Sequence, residues 1–364
     1  MATNNTHSRG GLQRRTATVF LLAAAIGGGA LAGRTAFPMQ NSTAAPSSRA
    51  VSPTSQTASY GWPVKPFDRQ HPVRGSFGDP RSIFRGAPTP RGLMTSDGAF
   101  SYHQGIDISA PDGTAVYPVR SGVVRIVTPD WVEVDSEGAV AFQYWHIRST
   151  VETGDNVQAG QDVLGHILRG SKHVHLTELR NGKAVNPLAP GHIGPYTDTT
   201  VPRVSEITFR SSDTGPELLP EYVHGRVEIV AGAADSQAVP VPGQWADLPI
   251  TPAKITYRVN TFPNGAIAIA EQTAMDVTSD LPRTSNMWHT YARGSHMNMV
   301  KMGVHRYWYN AGVYLFKLTP TLFDTHELAD GVYRVTVTAW DTAGNHSSTS
   351  QIFQVHNRSD WLER

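Results

Sequence analysis

Cysteine is absent from the 364 residues. That excludes disulfide staples and thiolate metal sites, and leaves His, Asp and Glu as the available metal ligands. Acidic residues are absent from residues 1–60, which hold five arginines. Beyond them the chain carries 26 basic against 30 acidic residues, so it is mildly acidic although the whole has a formal net charge of +1. A nucleic-acid partner calls for a basic face, and none is written here. Also missing are internal repeats, coiled-coil heptads, a phosphate-binding glycine motif and any long window with a 3.6-residue hydrophobic period.

The N-terminus reads as an export segment. Arg14 and Arg15 precede the apolar run "TATVFLLAAAIGGGALAG", and Ala30-Leu31-Ala32 has the small-x-small form of a cleavage site. Residues 1–33 are therefore expected to be a signal peptide or a membrane anchor, and either one places the rest of the chain outside the cytoplasm, secreted or held at the cell envelope. An excess of arginine over lysine, 25 to 6, has the composition of a GC-rich bacterial genome. Residues 34–60, rich in Ser, Thr, Ala and Pro, read as a disordered spacer.

The remainder of the chain is β-rich. Residues 61–195 hold short apolar runs ("TAVYPV", "GVVRIV", "WVEV", "AVAFQYWHI", "DVLGHIL", "HVHLTEL") separated by turn residues, the pattern of a mainly antiparallel β domain. From residue 201 the texture changes to longer alternating strands such as "GRVEIVAGAAD" and "AKITYRVNTF". In "DGVYRVTVTAWDTAGNHSSTSQIFQV", Val332, Arg334 and Thr336 share one face, Tyr333, Val335 and Val337 the other, and "DTAGN" makes the turn. Paired strands of this kind predict a β-sandwich of immunoglobulin-like type over 201–358. An insertion at about 260–315, rich in Met, His and aromatics, reads as a hairpin or loop packed on that sandwich. The fold class expected is thus mainly β, an antiparallel β-sheet domain followed by a β-sandwich.

Chemistry concentrates in the histidines. Of the 15 in the chain, six (His103, His146, His166, His173, His175 and His192) lie within one 90-residue stretch. In "KHVHLTE", His173 and His175 sit at i and i+2, which point to the same face of a strand. In "SYHQGIDISAPDGTAV", His103 and Asp107 are an even number of residues apart, so an extended segment would present both on a common face. Catalytic zinc sites commonly take three His or carboxylate ligands and keep water in a fourth position. Two histidines and one aspartate satisfy that need. His166 and His192 read as ordinary surface or turn histidines. Glu178 and Asp155 read as solvated carboxylates, or as carboxylates that support a ligand without being one.

Four segments in order, "HQGIDISAPDGTAV", "YWHI", "GDNVQAGQDVLG" and "HVHLTELRNGKAVNP", preceded by "WPV" and "SFGDPR", resemble the lysostaphin-like zinc metallopeptidases that cut peptidoglycan peptides. The resemblance spans about residues 61–190. It implies Zn2+ as cofactor, with His103, Asp107 and His175 as ligands. It implies His146 and His173 as the two catalytic histidines, one to move a proton and one to stabilise the oxyanion, in an order the sequence leaves open. No H-E-x-x-H is present, so no glutamate stands beside the ligands as a base. The implied function is a secreted zinc-dependent endopeptidase hydrolysing peptidoglycan stem or cross-bridge peptides. The alternative is a non-enzymatic zinc-containing module that binds the wall or activates a hydrolase. The expected partners are peptidoglycan peptides and no nucleic acid, with N-terminal membrane anchoring the other reading of residues 1–33.

Two departures stand out. The family usually carries a longer glycine-rich run before the last motif and a proline where this chain has Lys172, and the segment from Trp131 to Trp145 is short. Both bear on substrate preference more than on metal binding.

Overall fold

The structure is a computed structural model of the chain, and it describes residues 47–50, 58–83, 99–212, 215–283, 287–299 and 311–357. The expected export segment, and most of the expected spacer, lie outside these residues. No helix among the described residues is long and apolar enough to cross a membrane. Among the described residues, regular structure is almost entirely antiparallel β, as the period-2 patterning requires, with only single turns of 3-10 helix between strands.

The first half is built on an eight-stranded sheet. Its order runs Asn156–Val157, Gly122–Val127, Trp131–Ser136, Val140–Trp145, His173–Arg180, Ile106–Ser109 and Val73–Gly75, with Lys183–Val185 pairing the His173–Arg180 strand. Alternation divides this sheet into two faces. Ile106, Ile108, Val132, Val134, Phe142, Tyr144, Val174 and Leu176 form the apolar face, and each is shut off from solvent. A smaller sheet of Ile147–Ser149, Gly165–Ile167 and Ala115–Val116 adds Ile147, Val116 and Ile167 to the same apolar cluster. Truncating a fully buried Phe142 to Ala would cost about 3–5 kcal/mol.

The opposite face carries the polar residues, and register lines them up. Trp131 pairs with Trp145, Trp145 with His175, His175 with Asp107, and Asp107 with Gly75, one row across five strands. The neighbouring row holds Glu133, Gln143 and Thr177. A one-residue slip of any strand would send these side chains into the core, so burial of the apolar face is what fixes the polar row.

The second half has two further antiparallel sheets. One runs Ser47–Arg49, His346–Val355, Gly331–Trp340, Lys254–Thr261 and Ile267–Asp276. The other runs Glu217–Leu218, Arg203–Arg210, Arg226–Ala234 and Leu315–Lys317, with Phe323–Asp324 also on Arg226–Ala234. They meet through Phe209 and Phe353, whose ring centroids are 4.9 Å apart. Tyr333, Val335, Val337 and Ala339 turn inward as the alternation predicts.

Three expectations need revising. Ser47–Arg49, inside the stretch read as spacer, forms an edge strand on His346–Val355. The insertion expected at about 260–315 begins later, because Ile267–Asp276 is a full strand of the sheet. The segment after it packs on the first half as well as on its own sheets. Tyr291 Oη donates to Gly78 O at 2.8 Å, and the hydroxyls of Tyr102 and Thr290 are 2.6 Å apart.

Candidate metal centre

His173 and His175 leave the same face of their strand, and Val174 and Leu176 fill the core between and beyond them. Asp107 lies opposite His175 on the next strand. Its neighbour Gly75 is glycine for want of space: a Cβ there would lie 2.6 Å from Asp107 Oδ2 and 2.7 Å from Arg81 Nη2. His103 reaches the site differently from the expectation. It stands between the strands Ala99–Tyr102 and Ile106–Ser109, not within one, so the shared-face argument for His103 and Asp107 does not apply. A turn through Gly105 brings it in. A Cβ on Gly105 would overlap the Leu176 carbonyl and approach His175 Nε2 to 2.9 Å.

The three expected ligands converge. His103 Nε2 is 2.7 Å from His175 Nδ1, and Asp107 Oδ1 is 3.2 Å from each. His103 Nδ1 lies 2.8 Å from the Ser76 carbonyl, which can only accept, so Nδ1 carries the proton and Nε2 turns its lone pair to the centre. His175 Nε2 lies 2.8 Å from Thr177 Oγ1, and a proton donated there turns the Nδ1 lone pair inward too. Two imidazole lone pairs and a carboxylate oxygen facing one point repel unless a cation lies between them. Around a tetrahedral zinc with bonds of about 2.0–2.1 Å, ligand atoms stand about 3.3 Å apart, so two edges of this triangle fit and the His–His edge must open by roughly half an ångström. The donor set therefore fits a zinc ion.

Protonation favours the same use. Burial, then the Arg81 charge, pushes the His103 imidazole down to about 3, and burial lowers His175 as well, so both are neutral. Burial alone would raise the Asp107 carboxyl, but Arg81, followed by His103 and His173, outweighs it and holds the group well below the usual carboxylate range. Arg81 Nη2 donates to Asp107 Oδ2 at 2.6 Å, leaving Oδ1 for the centre.

His146 and His173 flank this triangle. Their ring centroids are 4.4 Å apart, and His173 Nε2 is 3.5 Å from Asp107 Oδ1. His146 breaks between two strands with φ of 66°, a left-handed backbone that is uncommon outside glycine and frequent at functional positions. Burial, followed by His173, pushes the His146 imidazole down to about 4. All five expected site residues are thus brought together.

The other residues singled out are not at the centre. Glu178 points to the core face, fully buried, where it accepts from Tyr60 Oη and from Arg180 Nε at 2.7 Å and meets His192 Nδ1 at 2.7 Å. It is neither solvated nor a support for a ligand, and His192 is a half-buried turn histidine whose backbone N–H donates to the Ala189 carbonyl and whose ring meets Glu178. Asp155 closes a turn by accepting from Glu152 N at 2.8 Å. His166 sits in the small sheet opposite Arg148. Sequence reasoning missed Arg74, Arg81, Thr177 and the Ser76 carbonyl as partners of the centre. "SFGDPR" flagged the opening segment that holds Ser76 and Arg81, but no local pattern says where their atoms point.

The unusual loop before the last motif also has its explanation. Lys172 has φ of 52°, which a proline ring cannot adopt, and its N–H donates to Asp112 Oδ1 at 2.8 Å.

Residues 101–187 match peptidase family M23, in keeping with the resemblance to the lysostaphin-like metallopeptidases. The rest of the chain lies outside the match. Among solved structures the chain is similar to a SpoIIQ–SpoIIIAH pore-forming complex, at 23% identity over 37% of this chain and 90% of that one, TM-score 0.27. It is similar to a zinc-containing peptidase from Vibrio cholerae, at 22% identity over 36% of this chain and 39% of that one, TM-score 0.27. It is also similar to pseudoalterin, an M23 metalloprotease from the deep sea, at 19% identity over 41% of this chain and 82% of that one, TM-score 0.26.

Proposed function

We propose that the chain is a secreted zinc-dependent endopeptidase that hydrolyses peptide bonds in peptidoglycan stem or cross-bridge peptides. One observation carries this reading: His103, Asp107 and His175 converge with their lone pairs inward, and two further imidazoles, His146 and His173, stand beside them. It is supported by the family match over the segment that contains all five residues.

His103, Asp107 and His175 would hold the metal. Zinc bound there supplies a Lewis acid for the scissile carbonyl and lowers the pKa of water towards neutrality. The chain's own groups do the rest. Arg81 keeps Asp107 ionised, and Ser76 and Thr177 hold the two ligand imidazoles in one tautomer. His146 and His173 serve the two remaining tasks, taking a proton from the attacking water for delivery to the leaving amine, and donating a hydrogen bond to the oxyanion. The stacked rings of Trp131 and Trp145, with centroids 4.5 Å apart, form a wall beside the centre, the Trp145 centroid lying 6.4 Å from that of His175. An extended peptide bound across the polar row would rest against it. The export segment expected at residues 1–33 would deliver the protein to this substrate.

The test is a digest of purified sacculi with the zinc-loaded protein and with His175→Ala, followed by mass spectrometry of the released peptides. New peptide termini are expected with the first and none with the second. Binding to sacculi without any release, together with stimulation of a separate hydrolase, would replace this reading with the non-enzymatic one.

A further inference from the structure

His146 and His173 are not equivalent in their surroundings. Arg74 is 7% exposed and reaches His173 from behind: its Nη2 is 2.6 Å from His173 Nδ1 and 3.0 Å from the Ser171 carbonyl. A guanidinium has donors only. The two hydrogens on Nη2 suffice for both neighbours, one to the carbonyl and one to the ring. The ring nitrogen that receives it must present a lone pair, so the imidazole proton sits on Nε2, which faces Asp107 Oδ1 and the metal centre. Nδ1 is also 2.7 Å from Ser171 O, and a proton there could be donated to that carbonyl. It would then confront a charged donor at 2.6 Å, and Asp107 would lose the proton facing it. The charge-assisted arrangement is the stronger. His146 has no comparable constraint, since neither of its ring nitrogens has a hydrogen-bond partner among the described residues.

Arg74 is held by the other half of the chain. Its Cζ lies 4.0 Å over the ring of Trp245, a half-buried residue of the Gly243–Trp245 turn. Burial lowers the Arg74 guanidinium only to about 10, so it stays charged at neutral pH.

We propose that Arg74, clamped on Trp245, is a positioning residue that fixes His173 as the Nε2–H tautomer. His173 is thereby the oxyanion donor, and His146, whose ring nitrogens are unbonded among the described residues, is the proton acceptor. The C-terminal half completes the active site through Trp245. The tautomer stands on geometry alone, whereas its catalytic meaning rests on the peptidase reading.

The experiment separates the two. Full-length, zinc-loaded protein labelled with 15N-histidine is examined by long-range 15N–1H correlation, with His173→Gln assigning the signals. The wild type is expected to show His173 protonated on Nε2 and bare on Nδ1. Arg74→Met should bring in the other tautomer and lower kcat roughly 10- to 100-fold, with KM within about twofold. Arg74→Lys, which keeps a cationic donor, should recover the tautomer and part of kcat. Trp245→Ala should lower kcat by a smaller factor, about three- to tenfold. Zinc content and circular dichroism confirm that each variant is folded and loaded. A proton on Nδ1 of His173 in the wild type overturns the proposal, as does an Arg74→Met variant whose tautomer and kcat are unchanged. The Nε2–H tautomer in a protein that cleaves nothing sustains the role of Arg74 and refutes the peptidase reading.

Discussion

A single carbon added at Gly105 should break the site, because the room for it is taken by the Leu176 carbonyl and by His175 Nε2. Gly105→Ala is expected to cost about 2–4 kcal/mol of stability and to weaken zinc binding, read by thermal unfolding and zinc titration. Unchanged zinc affinity would show that the His103 turn tolerates the shift. Lys172 gives the converse case. Lys172→Pro, the residue the family favours there, loses the N–H to Asp112 and cannot adopt φ of 52°, so a loss of about 3 kcal/mol or more is expected. Lys172→Gly should be tolerated, since glycine occupies that region freely. Much of the residue scale was legible in the sequence. The His-x-His pair announces itself by spacing, and the His103–Asp107 pair and the His146 segment by order and neighbours, since His103 lies in a turn where the spacing argument fails. Arg74, Arg81 and Trp245 do not, because what matters about them is where a long side chain ends after three distant segments have packed.

At the scale of elements, alternation gave the strands and their inward faces, and both histidines of the last motif share a face for that reason. Alternation could not give the neighbours of each strand, so the row from Gly75 to Trp131 emerges only in the folded sheet. Nor could it reveal that Asp198, Asp235 and Asp341, all buried and drawn from separate segments, present carboxylate oxygens within 4.8 Å of one another. Burial, followed by Asp198 and Asp341, raises Asp235 well above its usual range, and burial raises Asp341 to about 7. The folded protein then holds protons that the unfolded chain has lost between about pH 4 and 7, so this cluster's contribution to stability falls as pH rises through that window. Asp235→Asn keeps an acceptor for the Ser236 N–H and removes one charge. Compared in the presence of a chelator, the variant should be more stable than the wild type at pH 8 by roughly 1–3 kcal/mol and about equal to it at pH 4. Parallel stability–pH curves for the two proteins would contradict this.

For the whole molecule, the sequence anticipated a β protein in two parts but not the contacts between them. The structure ties them: Asn186 N donates to Ser279 O at 2.7 Å, Asn345 Nδ2 donates to Asp198 O at 2.9 Å, and Tyr291 reaches Gly78 beside the metal centre. Such contacts join residues far apart in the chain and leave no local pattern. Residues 61–195 expressed alone should therefore melt below the full chain or aggregate, as tested by thermal unfolding and light scattering. A fragment that matches the full chain in both would show that the contacts are dispensable. Zinc should stabilise the intact protein by mass action, about 4 kcal/mol at a thousandfold excess over Kd, and a chelator should reverse the gain.

The central claim is that His103, Asp107 and His175 share one metal ion. The most direct measurement is the zinc content of the purified full-length protein, by inductively coupled plasma mass spectrometry, beside His103→Ala, Asp107→Ala and His175→Ala. One zinc per chain is predicted for the wild type, and a fall to a small fraction in each folded variant. Zinc retained at full stoichiometry in all three would place the metal elsewhere and contradict the account.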